Sequence, residues 1–261
     1  MVADVPGRTQ FVFAVRGRVT WLAMRWQHGL TTVPERRGDL LPRTLASLKA
    51  GGFDRPHLFI DGDHDGASWE REFGLKATAR SERIRTAGNW MLALYELYYL
   101  DPNADRYLIT QDDLVCVRNL RAYLEKSPYP EKGYLNCYSF RANETVIAGK
   151  PPGWYPGYYL GSGPPGFQKG LGAVALVFTR EAVMTLLKAE HMVERPQNAH
   201  RGWKAVDGGI VTSMNKAGWL EYVHAPSLVQ HTGKVSSMQN REHPLAESFP
   251  GETFDALELL R

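Results

Sequence analysis

The stretch from Tyr107 to Asp113 limits the possible folds of this chain more than any other. It begins with a β-favouring apolar run and ends abruptly at the adjacent carboxylates of Asp112 and Asp113. In α/β folds, ligands bind just outside the carboxyl ends of parallel strands. Two neighbouring carboxylates repel each other and are costly to bury without a positive partner. A divalent cation that bridges to a diphosphate would remove both costs, whereas an acidic turn capping the next helix is the plain alternative.

Strands and helices alternate along the chain, as in α/β folds with a mostly parallel sheet. Besides the strand before Gln111, predicted strands cover residues 19–24, 56–60, 75–78, 133–138, 172–178, 219–224 and 227–231. Predicted helices cover residues 41–50, 87–100, 120–126, 180–188, 207–215 and 254–260. Residues 27–39 predict a polar loop. Residues 149–172, rich in Gly, Pro and aromatics, predict a long loop or loose hairpin with a role in binding. No GxGxxG follows the first strand, which argues against a dinucleotide cofactor.

The composition is ordinary for a folded protein, with 261 residues, 43% hydrophobic and 23% charged. We expect one domain over residues 1–261. A net charge of +3 suits an anionic substrate but is too weak to establish nucleic-acid binding. No apolar run approaches the roughly 18 residues of a membrane span, and the run 11–15 is too short for a signal peptide. Cys116 and Cys137 fit neither a zinc nor a redox motif, and free thiols favour a cytoplasmic protein.

The strand end Gln111-Asp112-Asp113, with the order of elements from Val19 to Gly233, resembles the GT-A glycosyltransferases. In that family a strand-terminal acidic motif, often DxD or Glu-Asp-Asp, holds a metal ion and a nucleotide-sugar. The resemblance implies an α/β fold: a three-layer α/β/α sandwich around a mixed, mostly parallel sheet. It divides the chain into a Rossmann-like nucleotide-sugar-binding half (about 19–115), an acceptor half (about 116–233) and a C-terminal tail (234–261).

The resemblance also implies a site for Mn²⁺ or Mg²⁺. Asp113 corresponds to the metal ligand, and Asp112 to a residue that faces the ribose or the waters of the metal. Gln111 departs from the acidic consensus, so we place it in the nucleotide-sugar site without a bond to the metal.

His231, in the run Val-Gln-His-Thr-Gly, is similar to a late histidine that many GT-A enzymes use as a second metal ligand. A lone histidine near a strand end is more often structural or exposed, but the sequence around it favours the ligand role. Lys234 and Ser236 follow closely, and we expect them to contact the diphosphate.

Asp207 is the candidate catalytic base. It precedes two glycines at the start of a predicted helix, so it also fits a helix cap. GT-A enzymes that invert the anomeric centre carry an acidic residue at this place, and the glycines would let an acceptor approach closely. In a retaining enzyme Asp207 would only orient the acceptor.

The remaining candidates concern the nucleotide. Asp61, at the end of the second predicted strand, is similar to the acidic residue that binds the nucleoside. The loop of Thr31, Thr32, Val33 and Pro34 resembles the one that wraps the base. By analogy, further contacts come from Arg85, Gly88 and Asn89. Gly88 and Asn89 lie at a helix start, where a phosphate site and an ordinary cap are equally compatible with the sequence.

These observations predict a metal-dependent glycosyltransferase that moves a sugar from a nucleotide-diphosphate donor, a UDP-sugar being favoured, to an acceptor hydroxyl. A glycan, a protein and a hydroxymethylated base in DNA are all open as acceptors, and arginines at 80, 83, 85, 195 and 201 keep DNA among them. A non-catalytic carbohydrate- or nucleic-acid-binding module is the first alternative, based on the aromatic loop and the basic segment 195–204. A nucleotidyltransferase is the second, although the first loop lacks the glycines that a triphosphate site needs.

Overall fold

The computed structural model describes residues 14–15, 18–19, 23–161, 167–190, 192, 206–233 and 245–261. In these ranges the strands are β1 (Ala14–Val15), β2 (Arg18–Val19), β3 (Trp26–Thr32), β4 (His57–Asp61), β5 (Ala77–Arg80), β6 (Arg106–Gln111), β7 (Leu114–Cys116), β8 (Gly133–Asn136), β9 (Gly153–Pro156), β10 (Ala175–Thr179), β11 (Leu220–Ala225) and β12 (Val229–His231). The helices are α1 (Leu40–Ala50), α2 (Gly66–Phe73), α3 (Arg85–Leu100), α4 (Leu120–Lys126), α5 (Ala142–Ile147), α6 (Arg180–Leu187) and α7 (Asp207–Lys216). Short 3₁₀ helices cover Pro34–Arg36 and Ala256–Leu260.

Eight of the strands form the central sheet, in the order β5-β4-β3-β6-β10-β8-β11-β9. Six strands run in one direction, while β9 and β10 run in the opposite direction. The sheet is therefore mixed and mostly parallel, as predicted. Because β3, β4 and β6 are parallel neighbours, their carboxyl ends meet at one edge of the sheet.

Both faces of this sheet are buried, because successive residues of its central strands point into two different cores. Leu108 of β6 packs in a core that includes Leu41 of α1. Its neighbour Ile109 packs in the other core, with Trp90 of α3 and Ile210 of α7. Such alternation requires helices on both faces. The predicted three-layer α/β/α architecture is confirmed.

The predicted position of the first buried strand was wrong. The expectation was residues 19–24, but the strand that enters the sheet is β3, within the segment predicted to be a polar loop. Its polar start conceals it: His28 is buried and its ring Nε2 lies 2.9 Å from the hydroxyl of Thr110. Gly29 lies where a side chain would collide, since a Cβ there would be 2.9 Å from Leu97 and from Phe59. Tight packing thus selects residues that do not have a strand-like pattern.

The other predicted strands and helices are found within about three residues of their predicted bounds, except that the predicted helix 254–260 is the 3₁₀ helix Ala256–Leu260. The strand predicted at 75–78 is β5, two residues later, and the strand predicted at 172–178 begins only at Ala175. The segment 149–172, predicted to be a long loop or a loose hairpin, contains β9 and an antiparallel bridge between Tyr159 and Gln168. Its glycine and proline are tolerated because β9 is the last strand of the sheet, where an unpaired backbone edge accepts proline.

Neither cysteine is in a disulfide, and both are buried. Burial raises the pKa of the Cys116 thiol to about 12, so this group stays protonated and unreactive near neutral pH. Across the described ranges, no helix has both the length and the apolar character that a membrane crossing requires.

Candidate active site

The candidate site lies at the edge of the sheet where β3 and β6 end. Asp112 and Asp113 occupy the two-residue connection between β6 and β7, and both side chains are buried. Helix α1 fixes this connection through Thr44, whose hydroxyl donates to the carbonyl oxygen of Asp112 at 2.8 Å and accepts from the N–H of Leu114 at 3.1 Å. The two carboxylates are therefore held by the sheet on one side and by a helix on the other.

A guanidinium lies between these two carboxylates. Nη1 of Arg36, in the 3₁₀ helix directly after β3, is 2.5 Å from Oδ2 of Asp113 and 3.2 Å from Oδ1 of Asp112. Thr32 donates its hydroxyl to the other oxygen of Asp112 at 2.6 Å. The positive charge that the acidic pair requires is thus present in the chain itself. The sequence analysis did not assign Arg36 this role.

The imidazole of His231 completes the group. Strand β12 pairs antiparallel with β7, with His231 opposite Leu114, and this register places Nε2 of His231 3.1 Å from Oδ2 of Asp113. The N–H of Thr232 donates to the carbonyl oxygen of Asp113 at 2.7 Å. Gly233 follows where there is no space for a side chain, because a Cβ would lie 2.9 Å from Cε1 of His231 and 3.0 Å from Oδ2 of Asp113. The structure therefore brings Asp113 and His231 together.

The surroundings separate the pKa values of the two carboxyls. Burial, reinforced by the negative charge of Asp113, raises the pKa of Asp112 to about 7 against the opposing effect of Arg36. Burial alone would also raise the pKa of Asp113. The hydrogen bond and charge of His231, together with Arg36, outweigh it and lower that pKa to about 2. Asp113 is accordingly the ionised member of the pair at neutral pH.

The donor atoms around Asp113 fit part of a divalent metal site. Among the described residues, its Oδ1 is buried and has no hydrogen-bond partner. Nε2 of His231 lies 3.1 Å from Oδ2 of Asp113, so an imidazole nitrogen and a carboxylate oxygen that could both hold a divalent ion are next to each other. In the described part of the chain no cluster of three or more His, Cys, Asp or Glu side chains is arranged to hold a metal. A bound ion would take its other ligands from phosphate and water.

Asp207 lies at the same edge of the sheet. It is the first residue of α7, and its carboxylate accepts the N–H of Gly172 at 3.1 Å and that of Gly208 at 3.0 Å. Gln111 is bound to the same segment, because its side-chain amide donates to the carbonyl oxygen of Ala173 at 3.0 Å. Residues 172–173 therefore connect Asp207 to the end of β6. The predicted base and the acidic pair share one rim.

Two predicted nucleotide contacts have internal partners. The oxygens of Asp61 accept the backbone N–H groups of Ile84 and Arg85, both at 2.8 Å. Asn89 donates to the carbonyl oxygen of Phe59 at 2.8 Å and accepts from Nε of Arg80 at 2.9 Å. These bonds fix the start of α3 against β4. Asn89 lies inside α3 and bonds to Phe59 and Arg80, so it does not cap the helix. The side chain that accepts N–H groups at the helix start is that of Asp61.

The other predicted residues differ in exposure. Gly88 is buried, and a Cβ there would be 3.0 Å from the side chain of Ile84, whereas Arg85 is exposed. Thr31 is buried and donates to the carbonyl oxygen of Thr110 at 3.3 Å. Val33 and Pro34 are half-buried. Lys234 and Ser236 lie outside the described residues.

Tyr138 is a site residue that the sequence analysis missed. Its ring stacks on Phe140 with centroids 4.7 Å apart, and its centroid is 6.4 Å from that of His231. A Cβ at Gly172 would lie 2.7 Å from the Tyr138 ring. Tyr138 thus occupies the space between His231 and the segment that holds Asp207. The only sequence signal was its position just after β8, on the same sheet edge.

Comparison with known proteins finds structures of similar fold but no protein of similar sequence. A scan against protein-family models finds no match, and a search of curated protein sequences finds none either. The crystal structure of GalNAc-T7 with UDP, GalNAc and Mn²⁺ resembles the chain with a TM-score of 0.52 at 10% identity. The match covers 82% of this chain and 45% of that one, so the chain corresponds to less than half of GalNAc-T7.

Two further structures are more distant. Mannose-1-phosphate geranyltransferase from Thermus thermophilus has a TM-score of 0.47 at 16% identity, over 77% of this chain and 74% of that one. HddC from Yersinia pseudotuberculosis has a TM-score of 0.40 at 12% identity, over 61% and 79%. Both scores are too low to support an inference. The likeness to GalNAc-T7 and the observed sheet show that the chain has a GT-A-like α/β fold.

Proposed function

We propose that the chain is a glycosyltransferase that moves a sugar from a nucleotide-diphosphate donor, a UDP-sugar being favoured, to an acceptor hydroxyl with the help of a divalent cation. The observation that carries this proposal is the contact between His231 and Asp113, 3.1 Å apart on a two-stranded sheet beside the main one. Residues far apart in sequence meet there at the ligand-binding edge of a GT-A-like fold. This chain matches less than half of GalNAc-T7, so the substrates of this chain are proposed separately below.

In this proposal Asp113 and His231 hold Mn²⁺ or Mg²⁺. The ion, when bound, neutralises charge on the departing diphosphate. Thr32 and Arg36 orient Asp112 through both of its carboxylate oxygens. In this proposal Asp112 would face the ribose or the waters of the metal, and it would not itself be a metal ligand.

Asp207 acts as the base. Its two N–H bonds, from Gly172 and Gly208, fix the orientation of the carboxylate, and a carboxylate has about four acceptor positions, so others stay available. As the acceptor oxygen bonds to the anomeric carbon, the bond from that carbon to the diphosphate oxygen breaks and the hydroxyl proton passes to Asp207. Attack opposite the leaving group inverts the anomeric centre. If Asp207 only orients the acceptor, the product keeps the donor's configuration, and proton NMR of the product distinguishes the two.

The acceptor is expected to bind along the segment after β9. Tyr158, Tyr159 and Phe167 are exposed there, and aromatic faces suit the apolar face of a sugar ring. Asn143 anchors this segment by accepting the N–H of Tyr158 at 2.9 Å. Its other end lies against the base, because a Cβ at Gly170 would be 2.3 Å from the backbone oxygen of Asp207. This arrangement favours a glycan among the candidate acceptors, which also include a protein and a hydroxymethylated DNA base.

The donor assignment rests on two supports. GalNAc-T7, which has a similar fold, was crystallised with UDP, GalNAc and Mn²⁺. The turn after β3 is Val33 followed by the 3₁₀ helix Pro34–Arg36, without the glycines that a nucleotidyltransferase needs around a triphosphate. A UDP-sugar transferase is therefore favoured over a nucleotidyltransferase, although the two share related sheets.

Product analysis tests the proposal. The purified protein is given a panel of nucleotide-sugars and Mn²⁺ with glycan, peptide and modified-DNA acceptors, and products are identified by mass spectrometry. We expect transfer by the wild type and loss of transfer in Asp113→Asn and Asp207→Asn. The control Asp54→Asn should keep full transfer, since Asp54 is exposed and precedes β4, whose other end lies at the site. Binding of carbohydrate that persists in Asp113→Asn with no product from any donor would favour a non-catalytic binding module instead.

A further inference from the structure

The same carboxylate oxygen of Asp113 has two nitrogen neighbours, the guanidinium of Arg36 and the imidazole of His231. Oδ2 is 2.5 Å from Nη1 of Arg36 and 3.1 Å from Nε2 of His231. The side chains of Arg36 and Asp113 are only 10% and 5% exposed, so water screens their interaction weakly. Arg36 also reaches Asp112 at 3.2 Å. A single guanidinium thus contacts both carboxylates of the acidic pair.

A divalent cation on Asp113 would lie within a few ångströms of this guanidinium. Like charges at such a distance repel strongly when both are shielded from water. Arg36 and a metal ion therefore cannot both keep their best positions on one carboxylate. An arginine side chain is not deprotonated in proteins, so Arg36 cannot relieve the repulsion by losing its proton.

The neighbouring arginine has a different role and sets a useful contrast. Arg37 donates to Glu72 from Nε at 2.7 Å and to Ser68 at 3.1 Å, and its guanidinium lies 4.4 Å from the centre of the Trp69 ring. It is turned towards α2 and away from the acidic pair. Substituting Arg37 is therefore a matched control: it removes the same kind of side chain from the adjacent position and leaves the acidic pair unchanged.

We infer that Arg36 is an internal cation that competes with the divalent ion for Asp113 and moves to the diphosphate when the donor and its metal bind. This inference rests on the proposed function, because it assumes a metal and a diphosphate at the same site. The anionic diphosphate is the natural next partner, since a guanidinium that loses its contact with Asp113 has N–H donors available for another oxyanion while it keeps Asp112. Arg36 is thus a positioning residue that links metal binding to donor binding.

Mn²⁺ binding without nucleotide tests the competition. Titration calorimetry compares the wild type with Arg36→Gln, Arg36→Lys and the control Arg37→Gln. We expect Arg36→Gln to bind Mn²⁺ at least about tenfold more tightly than the wild type, because a repelling charge is gone. Arg36→Lys, which keeps the charge, and Arg37→Gln should stay near the wild type. An Mn²⁺ affinity of Arg36→Gln equal to or weaker than that of the wild type overturns the inference.

A second comparison controls for the possibility that Arg36→Gln does not fold. If Arg36→Gln is unstable because two buried carboxylates lose their partner, the double variant Arg36→Gln with Asp112→Asn is compared with Asp112→Asn alone. The same gain of about tenfold is expected, and its absence overturns the inference. Adding Asp113→Asn should abolish the gain in either background, which shows that the ion binds at Asp113.

UDP titrations at saturating Mn²⁺ test the second half of the inference. We expect UDP to bind about tenfold more weakly to Arg36→Gln than to the wild type, because the diphosphate loses a charged donor. Unchanged UDP affinity would overturn the transfer of Arg36 to the diphosphate. If UDP binds to none of the proteins, the proposed function fails, whereas the order of Mn²⁺ affinities still decides the competition.

Discussion

Replacing Gly233 with alanine should move the side chain of His231 away from Asp113 without substituting either residue. The added Cβ would lie 2.9 Å from Cε1 of His231 and 3.0 Å from Oδ2 of Asp113. Carbon atoms in contact are normally about 3.5–4.0 Å apart, so the imidazole must move by about 0.6 Å or more. A shift of that size lengthens the 3.1 Å contact between Nε2 and Oδ2 beyond hydrogen-bond range.

The expected result is a loss of about 10- to 100-fold in the affinity for Mn²⁺ with UDP, the usual effect of disturbing the orientation of a metal ligand. Titration calorimetry measures it, and circular dichroism checks that the fold is retained. Gly38→Ala is the matched control, because Gly38 is exposed and nothing lies within 4 Å of a Cβ added there. Equal Mn²⁺–UDP affinity in Gly233→Ala and the wild type would refute the assignment of His231 and Asp113 as a shared metal site.

Three further changes test other parts of the account. Burial raises the pKa of Glu221 to about 8. The free energy of unfolding should therefore fall as the pH rises from about 4.5, the pKa of an unfolded glutamate, through 8, by on the order of 4 kcal/mol or less. Urea titrations should show this fall in the wild type, and the same fall in Glu221→Gln would contradict the prediction. Thr32→Val removes the 2.6 Å hydrogen bond to Asp112 and should cost about 1.5–3 kcal/mol of stability in urea titrations; no measurable loss would show that this bond is not formed. Asp207→Asn should lower the transfer rate by about 10²–10⁴-fold with UDP affinity unchanged, and a variant with the wild-type rate would remove Asp207 as base.

Local sequence patterns were sufficient to predict the strands that are continuous apolar runs ending in charged residues. The apolar run before Gln111 predicts β6, and the alternation of strands and helices predicts the α/β fold, because buried parallel strands impose their residue types over short distances. The juxtaposition of His231 and Asp113 was expected only from the family resemblance. Their contact depends on the pairing of β12 with β7, which no local pattern specifies.

Local patterns failed where a residue serves a partner distant in sequence. His28 and Gly29 belong to β3 because Thr110, Leu97 and Phe59 surround them, and none of these neighbours is visible in a short window. Since the strand was placed too early, Arg36 was read as part of a polar loop rather than as a residue at the ligand-binding edge.

The role of a carboxylate at a strand end is also not determined by the local sequence. Asp61 ends a strand, as a nucleoside-binding acid would, yet both of its oxygens accept backbone N–H groups at the start of α3. An acidic residue at a strand end is therefore compatible with a ligand contact and with a helix anchor. Only the positions of the N–H groups of Ile84 and Arg85 distinguish the two.

UDP binding measured with and without Mn²⁺ decides whether Asp113 and His231 form a metal site that serves the donor. We expect Mn²⁺ to tighten UDP binding by at least about tenfold in the wild type, and this gain to disappear in both Asp113→Asn and His231→Ala. UDP that binds equally well with and without Mn²⁺, or a gain that survives the loss of either side chain, would contradict it.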